Sequence, residues 1–413
     1  MRLIHIADLH FGKTLHGVSL LENGDQGFWT GRFLQLAETI RPDAVVIAGD
    51  VYDRSAPSGD AVALLSRMLT RLSELEIPVM MVAGNHDSAQ RLAFAGPMLA
   101  RQGLHISRPL FESEQLVHVT LRDENGPVTF WLMPYVFPSL IAETLQDGTL
   151  RDYDGAVRAL LERQPIDPSE RNVLIAHQNV AASGVEAVRG GSETMVGGVG
   201  QIDVRCFDAF DYVALGHIHA AYPVGRDTVR YAGSPLCYHF NEVRQPKKGP
   251  VLVELGAKGT PVRTEVLEIP PLHPMRELRG GYDELLQAEL ANVRTNEYLR
   301  LVLTDRRLSP ETVSVFEDLC RERGSVLMER CSEYDPFRTD IDAPEISAVE
   351  QKPLHALFGD FCAERSGELP DEADAAIFAF AERIAQEADV HAEPALSDIE
   401  KLIDFAIRQE GSV

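Results

Sequence analysis

From residue 1 to about 240, short apolar runs alternate with longer segments in which apolar residues recur every three or four positions. Leu3 to Ala7, Ala44 to Ala48 and Val79 to Ala83 have the length and branched side chains of strands buried on both faces. Between them, the stretches near Phe28 to Ile40 and Gly59 to Leu75 carry a helical period. Such alternation predicts crossover units and a mainly parallel core of the α/β class. Val173 to Ala176 and Tyr212 to Leu215 read as two further buried strands. Polar residues follow each strand at once. Ligand sites in such sheets lie beyond the carboxyl ends of the strands, so segments far apart in the chain can converge on one rim.

The run Ile269-Pro270-Pro271-Leu272-His273-Pro274 ends this region, because its prolines disfavour both helix and ladder pairing. From Met275 to about Glu333 the pattern is strand, helix, strand (Tyr298 to Leu303), helix, strand (Val326 to Glu329), with Ser309 as N-cap and Pro310 at the first helical position of the second helix. Beyond a linker near Tyr334 to Lys352, residues such as Leu354, Leu357, Phe358 and Phe361 repeat at helical spacing, and three short amphipathic helices are predicted. Their apolar faces need a cover, from this chain or, the preferred reading, from a partner. The expected organisation is a catalytic domain over 1–270, a capping domain over 275–335 and a partner-binding helical tail over 353–413. A loop with six glycines is expected over Gly184 to Gly200, and a turn joining two strands over Gln245 to Gly249, with Lys247 and Lys248 in it.

With 413 residues, 45% of them apolar, the chain can bury a large core in two or three units. No apolar run approaches the roughly 20 residues of a bilayer span, so no membrane association is expected. Asp8 and His10 stand where a secretory leader would be removed, which predicts a cytoplasmic protein. The five cysteines are odd in number, widely spaced and without a C-x-x-C pair, so they are expected to be reduced and buried. A net charge of −24 argues against simple counterion-driven binding to a phosphate backbone. Residues 341–413 account for half of it, with 17 acidic against 5 basic residues. Two bound dications would offset about +4 at a site, and a basic partner would help further.

Five runs carry the candidate chemistry: Asp8-Leu9-His10, Gly49-Asp50-Val51-Tyr52-Asp53, Gly84-Asn85-His86-Asp87, Ala176-His177-Gln178 and Gly216-His217-Ile218-His219. Each follows a predicted strand. A carboxylate such as Asp50 at the end of a buried strand is costly unless a cation or donors compensate, although a helix N-cap would also explain it. In the third run the glycine permits a tight turn, Asn85 offers a neutral oxygen ligand, and Asp87 is expected to orient the His86 imidazole. Singly, Asp8-x-His10, His177 and His217-x-His219 fit a structural role as well as a ligand role. Jointly they supply ligands for two ions. Two divalent cations roughly 3.5 to 4 Å apart can hold a phosphate, activate a water and neutralise a leaving oxygen.

D-x-H, G-D-x-x-D, G-N-H-D, a lone histidine and G-H-x-H, in this order, resemble the signature of the calcineurin-like metallophosphoesterase superfamily. Over its whole length the chain is similar to the family of SbcD-type and Mre-type nucleases, including the wording Ile6-Ala7-Asp8-Leu9-His10-Phe11-Gly12-Lys13 and Tyr231-Ala232-Gly233-Ser234-Pro235. The resemblance implies a β-sandwich core flanked by helices, a small α/β cap and a C-terminal helical tail. It implies one ion held by Asp8, His10, Asp50 and His219, and a second by Asp50, Asn85, His177 and His217, with Asp50 bridging. His86 would act on the substrate without binding metal.

Two manganese ions are the implied cofactors, with iron or zinc also compatible with the nitrogen and oxygen donors. By the same resemblance the activities are 3′ to 5′ exonuclease on duplex DNA and endonuclease on single strands or hairpins. The implied partners are DNA, an SbcC-type coiled-coil ATPase, and a second copy forming a homodimer within a heterotetramer. A phosphodiesterase or phosphatase for a small or protein substrate, and a scaffold without catalysis, are the rival readings. Asp53 is open between a supporting carboxylate and an exposed turn residue. Lys13, His16 and Arg54 are open between phosphate contacts and solvated surface. His5, His105, His118, His239, His273, His355 and His391 fit no motif and are read as structural.

Overall fold

Strands form where the apolar runs predict them, but they build two sheets. β1 (Arg2–Ile6), β2 (Ala44–Ala48), β3 (Val79–Val82) and β4 (Leu104–Ile106) come first in the chain. Next come β5 (Val117–Asp123), β6 (Gly126–Met133), β7 (Arg171–His177), β8 (Tyr212–Gly216), β9 (Pro223–Val224) and β10 (Arg226–Tyr231), and then β11 (Val251–Glu254) and β12 (Arg263–Val266). The structure is a computed structural model and describes residues 1–182, 200–244 and 247–334.

The first sheet has the order β12-β11-β1-β2-β3-β4, with β1 to β4 parallel, β11 antiparallel to β1 and β12 antiparallel to β11. In the second, β9-β10-β8-β7-β6-β5, four parallel strands lie between antiparallel edges. The alternation of side chains along each strand decides the layering. Ala44, Val46 and Ala48 of β2 face the second sheet, where they meet Phe130, Leu132, Val173 and Ile175 in one buried cluster. Val45 and Ile47 face outward onto Trp29, Phe33, Leu65 and Met68 of the helices Asp25–Ile40 and Gly59–Glu74. On the far side, Trp131, Leu174 and Val213 pack against Ile141, Val157 and Leu160 of the helices Pro138–Thr144 and Tyr153–Glu162. Central strands are thus covered on both faces, which is why they read as unbroken apolar runs. Each such side chain, fully buried, contributes roughly 1.5–3 kcal/mol.

β13 (Met275–Gly280), β14 (Tyr298–Leu303) and β15 (Val326–Ser332) form a separate parallel sheet in that order, linked by the helices Tyr282–Ala291 and Pro310–Glu322. Ser309 Oγ accepts the Thr312 N–H at 3.2 Å, the predicted N-cap. Leu278, Leu301, Leu303 and Phe316 make this sheet's own core, while Tyr298 and Met328 join the apolar cluster of the first sheet. Residues 1–334 are accordingly one compact unit.

The cysteines depart from expectation. Cys320 is buried, but Cys206, Cys237 and Cys331 are only partly so, all four without a disulfide. Among the described residues no helix is long and apolar enough to cross a membrane. The predicted tail helices, Cys362 and nearly all of the glycine-rich loop lie outside the described residues.

Candidate metal centre

The carboxyl ends of both sheets meet at one rim, and all five motifs lie on it. The loops after β1 and β2 are zipped together by Asp8 N–H to Gly49 carbonyl (3.1 Å), His10 N–H to Asp50 carbonyl (2.9 Å) and Phe11 N–H to Val51 carbonyl (3.0 Å). Four of the predicted ligands hold the left-handed backbone region that non-glycine residues avoid: Asp8 (φ 54°), His10 (φ 43°), Asp50 (φ 46°) and His217 (φ 102°). Each costs of order 1–3 kcal/mol, and such residues cluster where function demands a fixed side-chain direction. Close approach requires glycine around the site. A Cβ on Gly84 would lie 2.1 Å from Asp50 Oδ1, and one on Gly216 would lie 1.9 Å from the Ala48 carbonyl oxygen.

Asp50, only 3% exposed, is the hub. Its Oδ2 lies 3.3 Å from His177 Nε2, 3.6 Å from His10 Nε2 and 4.0 Å from His86 Nε2. Oδ1 accepts the His86 backbone N–H at 2.9 Å. Asn85 Oδ1 stands 3.1 Å from His177 Nε2 and 3.2 Å from His217 Nδ1. His177 donates its Nδ1–H to the Ala48 carbonyl at 2.8 Å, which turns Nε2 toward Asn85 and Asp50. On the other side Asp8, His10 and His219 bring ligand atoms within 4.8 Å of one another, as do Asp8, Asp50 and His177. Donors on one ion with bonds of about 2.1 Å are about 3.0 to 3.4 Å apart, the range of the Asp50, Asn85, His177 and His217 contacts.

Electrostatics divides the histidines. Burial drives His10 and His217 down to about 4 and about 3, so both rings are neutral at pH 7. Burial raises the Asp8 carboxyl to about 6, against the pull of His177 and His219. Asp50 is equally desolvated, yet the adjacent His177 holds it well below the usual carboxylate range. His177 loses solvation too, but Asp50 and then Asp8 override that and carry it to about 9. Asp8 Oδ2 and His10 Nε2 are buried without a hydrogen-bond partner. Such orphaned atoms cost about 1–3 kcal/mol each, a penalty that bound cations would remove. The residues therefore fit a pair of divalent metal ions, and a donor set of nitrogen and oxygen without thiolate suits manganese, iron or zinc.

All nine predicted site residues are thus brought together, with one correction of role. Asp87 does not orient the His86 ring. Its carboxylate accepts the N–H groups of Gly84 (2.9 Å), Tyr52 (2.9 Å) and Val51 (3.1 Å), clamping two ligand loops to each other. The His86 ring is held by the Asp53 backbone carbonyl, 3.0 Å from Nδ1. The Asp53 carboxylate is a supporting group, 3.5 Å from His10 Nδ1 and 2.8 Å from Lys13 Nζ. Lys13 is therefore engaged internally, His16 Nε2 sits 3.5 Å from Glu329, and Arg54 is the most exposed of the three, its side chain 80% accessible. Sequence reasoning missed Glu242, buried beside His219, and Lys248, partly buried beside Glu242. Neither belongs to a motif, and Lys248 read as part of a turn joining two strands. Tyr238 was missed as well: its hydroxyl donates to the Leu9 carbonyl at 2.6 Å and its ring stands edge-on to His10 and His219.

Residues 1–221 match the family model for calcineurin-like phosphoesterases. The chain belongs to that family. It is a metal-dependent phosphodiesterase, and loops from both sheets of the sandwich bring candidate ligands to the site. A Staphylococcus epidermidis protein named as the D subunit of the nuclease SbcCD is 33% identical over 74% of this chain and 79% of its own length. A Staphylococcus saprophyticus protein of the same name is 31% identical over 73% of this chain and 78% of its own. A solved structure from Thermus thermophilus matches at 13% identity over 64% of this chain and 98% of its own, with a TM-score of 0.37.

Proposed function

We propose that this phosphoesterase is a DNA repair nuclease that works with two manganese ions, as a 3′ to 5′ exonuclease on duplex DNA and an endonuclease on single strands and hairpins. The observation that carries the reading is the sharing of Asp50 between two groups of donors. Asp8, His10, Asp50 and His219 would hold one ion, and Asp50, Asn85, His177 and His217 the other. When bound, the ions supply Lewis-acid activation of a water and charge neutralisation at the scissile phosphate. His86 is half-exposed at the mouth, with Nδ1 facing a carbonyl that can only accept a hydrogen bond. Nδ1 therefore carries the hydrogen, and Nε2 addresses the substrate, where a protonated ring can donate to the departing 3′ oxygen. The exposed Arg54 guanidinium beside this mouth suits a backbone phosphate.

The relatives' shared name supports assembly with an SbcC-type ATPase, which we assign to residues 353–413, with 1–270 as the nuclease domain and 275–335 as the DNA-facing cap. Pairing of two copies through the nuclease domain, into a heterotetramer, would cover the exposed Phe94 and Met98. Unbonded cysteines agree with a reducing, cytoplasmic setting.

The test compares wild type with His86→Ala, with and without manganese, on a labelled linear duplex and on bis-p-nitrophenyl phosphate. Manganese-dependent cleavage of the duplex, lost in the variant while both metal equivalents remain, supports the proposal. Turnover of the small diester with intact duplex would favour the small-substrate reading. Loss of metal together with activity would remove His86 from its substrate-facing role.

A further inference from the structure

Glu242 lies on the short turn Phe240–Arg244, well after the last metal motif, yet it is only 1% exposed. Its Oε1 is 3.2 Å from His219 Nδ1. Its Oε2 is 2.9 Å from Lys248 Nζ and accepts the Tyr238 backbone N–H at 3.2 Å. The Lys248 ammonium also donates to the His219 carbonyl at 2.8 Å and to Ser234 Oγ at 2.7 Å. Acid and base therefore grip His219 at ring and backbone together.

We propose that Glu242, braced by Lys248, is a positioning residue for His219, fixing the tautomer with its hydrogen on Nδ1 and aiming Nε2 toward Asp8 and His10. The inference rests on the reading of His219 as a metal ligand. A carboxylate behind a ligating imidazole locks the ring's orientation and raises the basicity of the ligating nitrogen. A salt bridge that merely pinned the turn would have no need of the imidazole. Here the carboxylate divides its two oxygens between Lys248 and the ring. The lysine supplies the compensating charge, without which a buried carboxylate would be strongly disfavoured. The same turn carries Arg244, whose exposed guanidinium reaches Glu277 on β13 at 3.0 Å.

The experiment is a manganese titration of the full chain by calorimetry, with the manganese electron paramagnetic resonance spectrum as a second readout. The double variant Glu242→Gln/Lys248→Met removes both charges, so that neither is left buried alone. We expect one of the two manganese sites to weaken by about 10–100-fold, with an altered spectrum and an unchanged circular dichroism spectrum. In a His219→Ala background the same double change should cause no further loss, since the residues act through that ring. Wild-type affinity at both sites in the double variant overturns the proposal, as does an equal further loss in the His219→Ala background. Should the double variant fail to fold, the isosteric Glu242→Gln decides by the same titration, with weakening of one site expected and unchanged binding overturning. Absence of manganese binding in the wild type would instead bring down the metal reading itself.

Discussion

His177 Nε2 lies 3.3 Å from the Asp50 carboxylate, and the two side chains are 0% and 4% exposed. In this pair burial works against both charges, but their mutual attraction carries His177 to about 9 and holds Asp50 low. The metal-free site thus keeps a proton where a dication would sit. A ligating imidazole must be neutral, so metal uptake has to expel that proton. Manganese binding near neutral pH should release about one proton, and affinity should climb with pH until about 9. Calorimetry in buffers of different ionisation heat measures the count directly. Binding with no proton release at neutral pH would contradict the assignment.

Gly84→Ala places a carbon 2.1 Å from Asp50 Oδ1 and 2.3 Å from the Asp50 backbone nitrogen. The second contact is with backbone, so the strand-end loops themselves must move apart. Forced overpacking of this kind costs roughly 1–3 kcal/mol, occasionally more. The variant should lose that much in urea denaturation and bind fewer than two manganese equivalents. Retention of full stability and both metals would mean that the two loops are not held in register by this contact.

The candidate site residues at the strand ends were legible because a buried strand shows as a continuous apolar run that a polar residue then ends. Asp50 and Asn85 could be read in this way, whereas His177 alone reads as a core histidine and joins them only as one of the set. Support from a distance could not. Asp53 reaches back to His10 across two loops, and Glu242 reaches His219 from a turn with no strand before it, so neither leaves a local spacing to detect. The role of Asp87 was misread for the opposite reason: adjacency to His86 suggested a ring partner, whereas the left-handed turn at Asp50 opens the N–H groups of Val51 and Tyr52, which the Asp87 carboxylate satisfies. The division into two sheets is likewise invisible in strand composition, since parallel strands covered on both faces look alike in either arrangement.

Attachment of the third sheet, expected to form the cap, depends on a small polar cluster. The Tyr298 hydroxyl donates to Asp25 Oδ2 at 2.6 Å and accepts from Asn23 Nδ2 at 2.9 Å, while His273 Nδ1 lies 2.8 Å from Asp25 Oδ1. Asp25 is only 2% exposed, so removal of the hydroxyl leaves a buried carboxylate oxygen and the Asn23 amide without their shared partner. Tyr298→Phe should destabilise the fold by about 1–3 kcal/mol. Limited proteolysis should also cut faster in the proline-rich run before Met275. Unchanged cleavage there, with unchanged stability, would show that apolar packing of Tyr298 alone secures the cap.

His5 gives the acid-stability prediction. The ring is wholly buried on β1, with Nδ1 3.0 Å from the Tyr212 hydroxyl, and burial, aided by the Arg230 charge, lowers it to about 3. In the unfolded chain the same group titrates near 6.5. Between those values the unfolded state binds the extra proton, so stability rises with pH. The contribution is fully present above about 6.5 and is lost as pH falls toward 3, at up to about 1.4 kcal/mol per pH unit. Asp8, raised to about 6, titrates with the opposite sign, so the useful quantity is a difference between two proteins. With metal removed by chelation, urea midpoints of wild type and His5→Asn should converge as pH is lowered from 7.5 to 5, because only the wild type loses the His5 contribution. Parallel pH profiles for the two proteins would mean that His5 can take up its proton without unfolding.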